Sequence, residues 1–522
     1  MFRPSRRTVL QGTTALAVLP FAKWWPAKAQ QPVTRHSAFS EEGKEALASY
    51  AKAVAEMRKL SQADPTDPLG WLYQYKMHQF PDNALDILFD ETIPEDQRWP
   101  RVLQAKDAEL TKYFGPADAG NTKREQAEAT WGVCPHSGGT AFAENFFPWH
   151  RMYLLFFERI VRKLSGDGSF ALPYWGYMDG PASQVIPAAF IASGDNPLSH
   201  ERAAAINSGG QMDADDFKGG FWDQRRAFDG FSLEVEREPH NPVHITVGEL
   251  NDEDLPNFDM ADPFRSPRDP VFWLHHAEID RIWESGRKNA QLPDRDGDWL
   301  ATKHHFFDED RNFVELTNAD VLNMEQIKDW PGYTYKKLLE PPAPKVPEIV
   351  MAQAFERTQQ QQRVLATGAD VSLKSGLQTN ALEPTSQAES FAERPGGAPG
   401  RITLEVSSIT LNKRSAANVG LYLNAPAGAT DEQLKEHLVG TVSTFFLLPK
   451  GVQMDHGGKD HGGKPPTYVF DVTELVGRLR QKGLWTGKFE LTSKETTGSL
   501  GGAAINLGDV QVVETTAGPP RQ

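Results

Sequence analysis

Histidines set inside runs of aromatic residues constrain this chain more than any other feature. Phe146 to Glu158 reads FFPWHRMYLLFFE; Asp269 to Trp283 reads DPVFWLHHAEIDRIW, with HNPVH just upstream at His240 to His244. Segments this apolar must be buried, and an unpartnered imidazole in such surroundings costs free energy. Of fourteen histidines, seven need an explanation of this kind: His78, His136, His150, His240, His244, His275 and His276. Several buried rings that converge are satisfied together by a metal. Neutral imidazole suits copper, zinc, iron and nickel.

Charge narrows the partners. The formal net charge is −15, and residues 1–29 hold five positive and no negative charges, so without them it falls to −20. A surface that acidic argues against nucleic acid or anionic lipid as a partner. Beyond the N-terminus no stretch is long and apolar enough to span a bilayer, so no stable membrane insertion is expected. The single cysteine, Cys134, rules out an internal disulfide. Ser5-Arg6-Arg7-Thr8-Val9-Leu10 resembles a twin-arginine export signal, and Ala27-Lys28-Ala29 has the form of a cleavage site. Residues 1–29 are therefore expected to engage the twin-arginine export machinery, leaving the protein in the periplasm or secreted.

The length implies more than one core. Residues 30–340 are rich in aromatic residues, and Glu41 to Leu60, Trp149 to Leu164 and His276 to Lys288 carry apolar residues at helical spacing. Residues 341–398 turn polar, with prolines from Pro341 to Pro347 and a glutamine run from Gln359 to Gln362. They are predicted to be a linker, partly helical around Ile349 to Val364. From Arg401 the period shortens to two, as in Ile402 to Val406 and Tyr468 to Val472. Residues 399–517 are thus predicted to form a β-sandwich. The expected class is α+β: a mainly α-helical bundle followed by a C-terminal β-sandwich domain. The repeated Asp-His-Gly-Gly at Asp455 and Asp460 reads as an exposed glycine loop.

Spacing limits the metal. His240 and His244, four apart, share a helical face, and Pro242 between them is tolerable only in a first turn. His275 and His276 diverge by roughly 100° on a helix, so one of them points elsewhere. A zinc hydrolase would bring a carboxylate, as in HExxH, and a ferritin-type di-iron site would need paired ExxH motifs. Neither occurs. Histidine-only ligation in two groups of three points to a pair of copper ions.

The motifs resemble those of the type 3 copper proteins, the tyrosinase and polyphenol oxidase family. Phe146-Phe147-Pro148-Trp149-His150-Arg151 is similar to the first copper motif; Asp269 to His276 with Ile279-Asp280-Arg281 and Trp283 is similar to the second. The resemblance implies His78, His136 and His150 on one copper, and His240, His244 and His276 on the other, with His275 behind them. It implies a gate over the second copper, where the register offers Pro263 with Phe264 beside it, and a thioether from Cys134 to His136; ligating rings need bracing, and Asp269 and Asp280 are the candidates for it. Arg35 and Pro331-Gly332-Tyr333-Thr334-Tyr335 resemble the two ends of the plant-type core, tied together by stacking of the arginine on a tyrosine. Two departures stand out: His136 and His150 lie farther apart than is usual, and Glu278 replaces a common Asn.

The resemblance further implies two copper ions as cofactor, dioxygen as co-substrate and small phenols as substrates. Monophenols would be hydroxylated to catechols and o-diphenols oxidised to o-quinones. Glu236 and Asn241 match the Glu and Asn that in the family hold a water able to deprotonate a monophenol. The alternatives are a catechol oxidase only, or a hemocyanin-like dioxygen-binding protein. The β-domain is expected to shield the copper cleft until it is removed.

Overall fold

The computed structural model describes residues 32–118, 120–135, 143–191, 194–213, 217, 219–224, 228–248, 258–342, 358–388, 400–452, 468–485 and 488–520. The N-terminal segment 1–29, His136 and the two Asp-His-Gly-Gly repeats lie outside them.

The helical core begins with strand β1 (Val33–Arg35) and helix α1 (Glu41–Ala63), which Ser40 caps by accepting from the Gly43 amide. Helices α2 (Trp71–Lys76), α3 (Ala84–Leu88) and α4 (Glu95–Phe114) follow. Helix α5 (Phe146–Ser165) carries Pro148 in its first turn, where the missing amide hydrogen costs nothing, and ends on Gly166 at φ 75°. It is buried on nearly every face, as befits a central element. Helices α6 (Asn241–Gly248) and α7 (Val271–Asn289) complete the frame. Helix α5 packs against both α1 and α7. Phe157 of α5 stacks on Trp273 of α7 with ring centroids 3.4 Å apart and planes at 9°.

The charges inside this core are paired. Asp280 of α7 accepts from Arg151 Nε (2.6 Å) and from the hydroxyls of Tyr333 and Tyr335 (2.7 Å each). Strand β2 (Tyr333–Tyr335) pairs in parallel with β1, and the Arg35 guanidinium sits 3.4 Å from the Tyr333 ring centroid. The expected tie between the two ends of the core is present.

The C-terminal domain holds strands β3 (Thr358–Leu373), β4 (Gln378–Pro384), β5 (Arg401–Ser407), β6 (Ala416–Leu423), β7 (Leu438–Ser443), β8 (Tyr468–Asp471), β9 (Phe489–Ser499) and β10 (Ile505–Pro520). Their order is β7-β6-β9-β4-β3-β10-β5-β8, with Thr410–Leu411 pairing on β10. Two features differ from expectation. The predicted linker contains β3 and β4, so described residues 358–364 are strand, not helix; β3 is held along its length by the distant β10. The predicted two-sheet sandwich is instead one continuous antiparallel sheet, because β3 and β4 pair at Ala366 with Pro384 and Thr367 with Glu383. It folds over a single core in which Leu365, Leu404, Val419 and Leu491 meet.

The sheet domain rests on the helical core beside α6. Asn418 Nδ2 donates to the Pro242 carbonyl (3.1 Å), and Arg237 Nη1 donates to the Thr441 carbonyl (3.0 Å). The Arg237 guanidinium also lies 4.3 Å from the Phe470 ring centroid.

Candidate metal centre

Six of the seven singled-out histidines fall within the described residues, all of them buried, and converge between α2, α5, α6 and α7. His78 follows α2, His150 is the fifth residue of α5, His240 and His244 flank the start of α6, and His275 and His276 lie on α7. Pro242 is the second residue of α6, inside its first turn as the spacing required. Two clusters bring candidate ligand atoms within 4.8 Å of one another: His240, His244, His275 and His276; and His78, Cys134 and His150. His276 lies between the clusters. Its ring stacks on His150 at 4.3 Å between centroids and stands 5.0 Å from His240.

Five of the six rings are fixed by a bond at Nδ1. Taken as donors, His78 reaches the Pro263 carbonyl (3.0 Å), His150 that of Phe146 (2.7 Å), and His244 that of Met260 (2.9 Å). His240 reaches the Asn241 Oδ1 (2.9 Å) and His275 the Tyr177 hydroxyl (3.0 Å). Such bonds select the tautomer that leaves the Nε2 lone pair for a metal. Burial holds His78 and His240 down to a pKa of about 3, and pushes His150, His244, His275 and His276 well down too. The rings are therefore neutral at ordinary pH, the form that binds metals.

The fit to a metal is visible in the rings themselves. His244 Nε2, His275 Nε2 and both nitrogens of His276 are buried without a hydrogen-bond partner. Orphaned donors or acceptors of this kind are costly. Nitrogen donors clustered so closely are compatible with binding of a transition metal such as copper.

Some expected roles are changed. Among the described residues, Asp269 and Asp280 bond to no ligating ring. Asp269 accepts two 2.6 Å bonds from Arg202 and one from the Val271 amide, anchoring the start of α7. Asp280 is the arginine and tyrosine hub described above. A buried carboxylate gains more from a guanidinium than from a neutral imidazole, and backbone carbonyls suffice to orient the rings. Phe264 packs with Leu85, Leu88, Val102, Leu448 and Val452; the phenyl rings on His244 belong to Phe272 and Phe445. Cys134 lies with its Sγ 3.3 Å from His150 Nε2, and burial, then Glu236, pushes its thiol pKa up. Its expected partner, His136, is outside the described residues. Glu278 bonds Arg281 and the Gly176 and Met178 amides. Glu236 is buried in the turn leading to His240.

Sequence reasoning missed Met260, Pro263 and Tyr177, whose backbone or hydroxyl orients the rings, and Phe445. The Phe445 ring lies 4.2 Å from that of His244, with the planes at 9°. A carbonyl can come from any residue type, and Phe445 is 201 positions from His244, so neither left a local signal.

A model of the common central domain of tyrosinase matches residues 111–224 and 211–286, and one of the polyphenol oxidase middle domain matches 294–342. These matches place residues 111–286 and 294–342 with the tyrosinase and polyphenol oxidase family. Residues 355–512 match a domain of unknown function. The chain is 26% identical to a tyrosinase of Hahella sp. (strain CCB-MM4) over 490 residues, 84% of this chain and 90% of that protein. It is 25% identical to the chloroplastic polyphenol oxidase B of Solanum lycopersicum over 343 residues, 57% of this chain and 48% of that one. Among solved structures, a latent aurone synthase (polyphenol oxidase) superposes with a TM-score of 0.56 at 20% identity, covering 94% of this chain and 91% of that one. Latent apple tyrosinase gives 0.56 at 19%, covering 93% and 97%. These likenesses establish the fold. Family membership supports copper phenol oxidase activity in general, and the histidine clusters are compatible with the family's dinuclear copper site. No described helix is long and apolar enough to cross a membrane.

Proposed function

We propose that the protein is a copper-dependent phenol oxidase that hydroxylates monophenols as well as oxidising o-diphenols, held latent by its C-terminal domain. In this reading His78, His136 and His150 hold one copper, and His240, His244 and His276 the other. The observation that carries it is the meeting of the two histidine groups at His276, whose buried nitrogens lack protein partners. When bound, the copper pair supplies a two-electron redox centre that activates dioxygen towards an electron-rich ring.

The chain's residues supply the rest. Carbonyls of Phe146, Met260 and Pro263 and the Asn241 amide hold four rings in place. The buried Glu236, one turn before His240, is the group proposed to take the proton of a bound monophenol. Asn241, whose oxygen meets His240 Nδ1, is the residue that would help Glu236 hold a water beside the phenol. Glu236→Gln is expected to lower monophenol hydroxylation about 100-fold or more, the low end of general-base contributions. o-Diphenol oxidation, which does not depend on that deprotonation, should fall far less. Oxygen uptake with tyramine and 4-methylcatechol side by side measures both, and equal loss would remove the role from Glu236.

Latency is supported by Phe445. Its ring covers His244 where a phenol ring would stack, and its neighbour Phe446 adopts φ 64°, an uncommon conformation for a bulky residue. The same cover would suit a hemocyanin-like dioxygen carrier, the second reading. Turnover of 4-methylcatechol by Phe445→Ala, exceeding that of the intact chain, supports the enzyme; dioxygen binding with no turnover in either supports the carrier.

A further inference from the structure

One short segment, 258–268, touches both halves of the candidate copper site. Its Met260 carbonyl accepts from His244 Nδ1 (2.9 Å) and its Pro263 carbonyl from His78 Nδ1 (3.0 Å). These two histidines belong to different groups, so a shift of this backbone moves one ring of each. Between the two carbonyls stands Asp262, 1% exposed. Its Oδ1 accepts from the Phe264 amide (2.9 Å), shaping the turn. Its Oδ2 accepts from Arg265 Nε (3.0 Å) and from Arg414 Nη2 (3.0 Å). Arg414 comes from the C-terminal domain, two residues before β6, and its side chain is 12% exposed. Its other carboxylate partner is the exposed Asp86.

We propose that Arg414 is a positioning residue for both coppers, acting through Asp262 and the 258–268 backbone. The C-terminal domain then does more than cover the cleft: it grips the segment that orients His78 and His244. Removing Arg414 leaves Arg265 as the remaining guanidinium on Asp262, so the buried charge is only partly compensated and the segment shifts to hydrate it. The inference rests on the copper reading given above.

The test is equilibrium competition for copper between the full-length chain and the copper(I) chelator bicinchoninate, with far-UV circular dichroism confirming matched folds. An equilibrium constant is insensitive to how fast the chelator reaches the site. Arg414→Met is expected to weaken binding of both ions about tenfold, the low end of what partners of ligating histidines contribute. Arg414→Lys should recover part of the loss. Asp86→Ala should leave the affinity unchanged, since an exposed pair contributes little. Should Arg414→Met fail to fold, Asp262→Asn, which keeps the turn's acceptor but drops the charge, takes its place with the same expectation. Wild-type affinity in Arg414→Met and Asp262→Asn would overturn the proposal, as would weakening of one ion alone. A wild-type chain that binds no copper would instead overturn the copper reading on which it rests.

Discussion

At the scale of single residues, charges seek charges, and three of the neutral rings take backbone. Asp280 answers Arg35 and Arg151, and His78, His150 and His244 lean on carbonyls. Asp280→Asn should therefore act on stability before it acts on the site. It leaves Arg35 and Arg151 with Glu158 and Glu284 as their remaining countercharges, so the loss should stay below the about 3–5 kcal/mol of a buried pair broken outright. Urea unfolding of the variant measures it; a change near zero would show the hub to be dispensable. His200 offers a pH-dependent case. Burial lowers its pKa, but the Asp259 hydrogen bond and the nearby Asp269 and Asp259 charges outweigh that and raise it above 6.5. A raised folded value means the pair stabilises fully below the unfolded pKa, near 6.5, and loses that contribution as pH rises through the folded value. His200→Gln should flatten the Tm profile in that window, and an unchanged slope would contradict the pairing. The histidines were legible in the sequence because buried imidazole is conspicuous among aromatics. Their true supports were not, because Met260 and Pro263 act through atoms that every residue shares.

Elements show where periodicity carries information and where it fails. Glu41 to Leu60 was read closely, and α1 runs on to Ala63. The other two helices start earlier than their patterns suggested, at Phe146 and Val271, since Pro148 is harmless in a first turn and Asp269 caps the Val271 amide. Strand β3 was missed because Gln359 to Gln362 resembles a tract that cannot build a core. What makes it a strand is β10, paired from Thr358 with Pro520 to Leu373 with Ile505, too distant for any local window. Helix α6 depends on close approach. A Cβ placed at Gly248 would collide with the Ala261 backbone, in the segment that orients His244. Gly248→Ala should thus reduce copper content after reconstitution while leaving the far-UV spectrum intact. Full copper occupancy in that variant would show that the approach is not needed.

The whole molecule pairs a helical core that concentrates histidines with a sheet that closes over them. The division into an aromatic, helical first part and an alternating second part could be read from composition and period. That Phe445 would reach His244 and Arg414 would reach Asp262 could not, because docking of two domains is encoded in neither period nor motif. Cutting the chain within 343–357 should separate the core from the entire sheet and raise 4-methylcatechol turnover; unchanged turnover after complete cleavage would contradict latency. Beneath all of this lies the claim that the converging histidines hold two metal ions. Elemental analysis of the purified chain, reconstituted with copper and freed of excess, tests it most directly. The account predicts two coppers per chain, falling on substitution of His276 by Ala; a folded wild-type chain that retains none would contradict it.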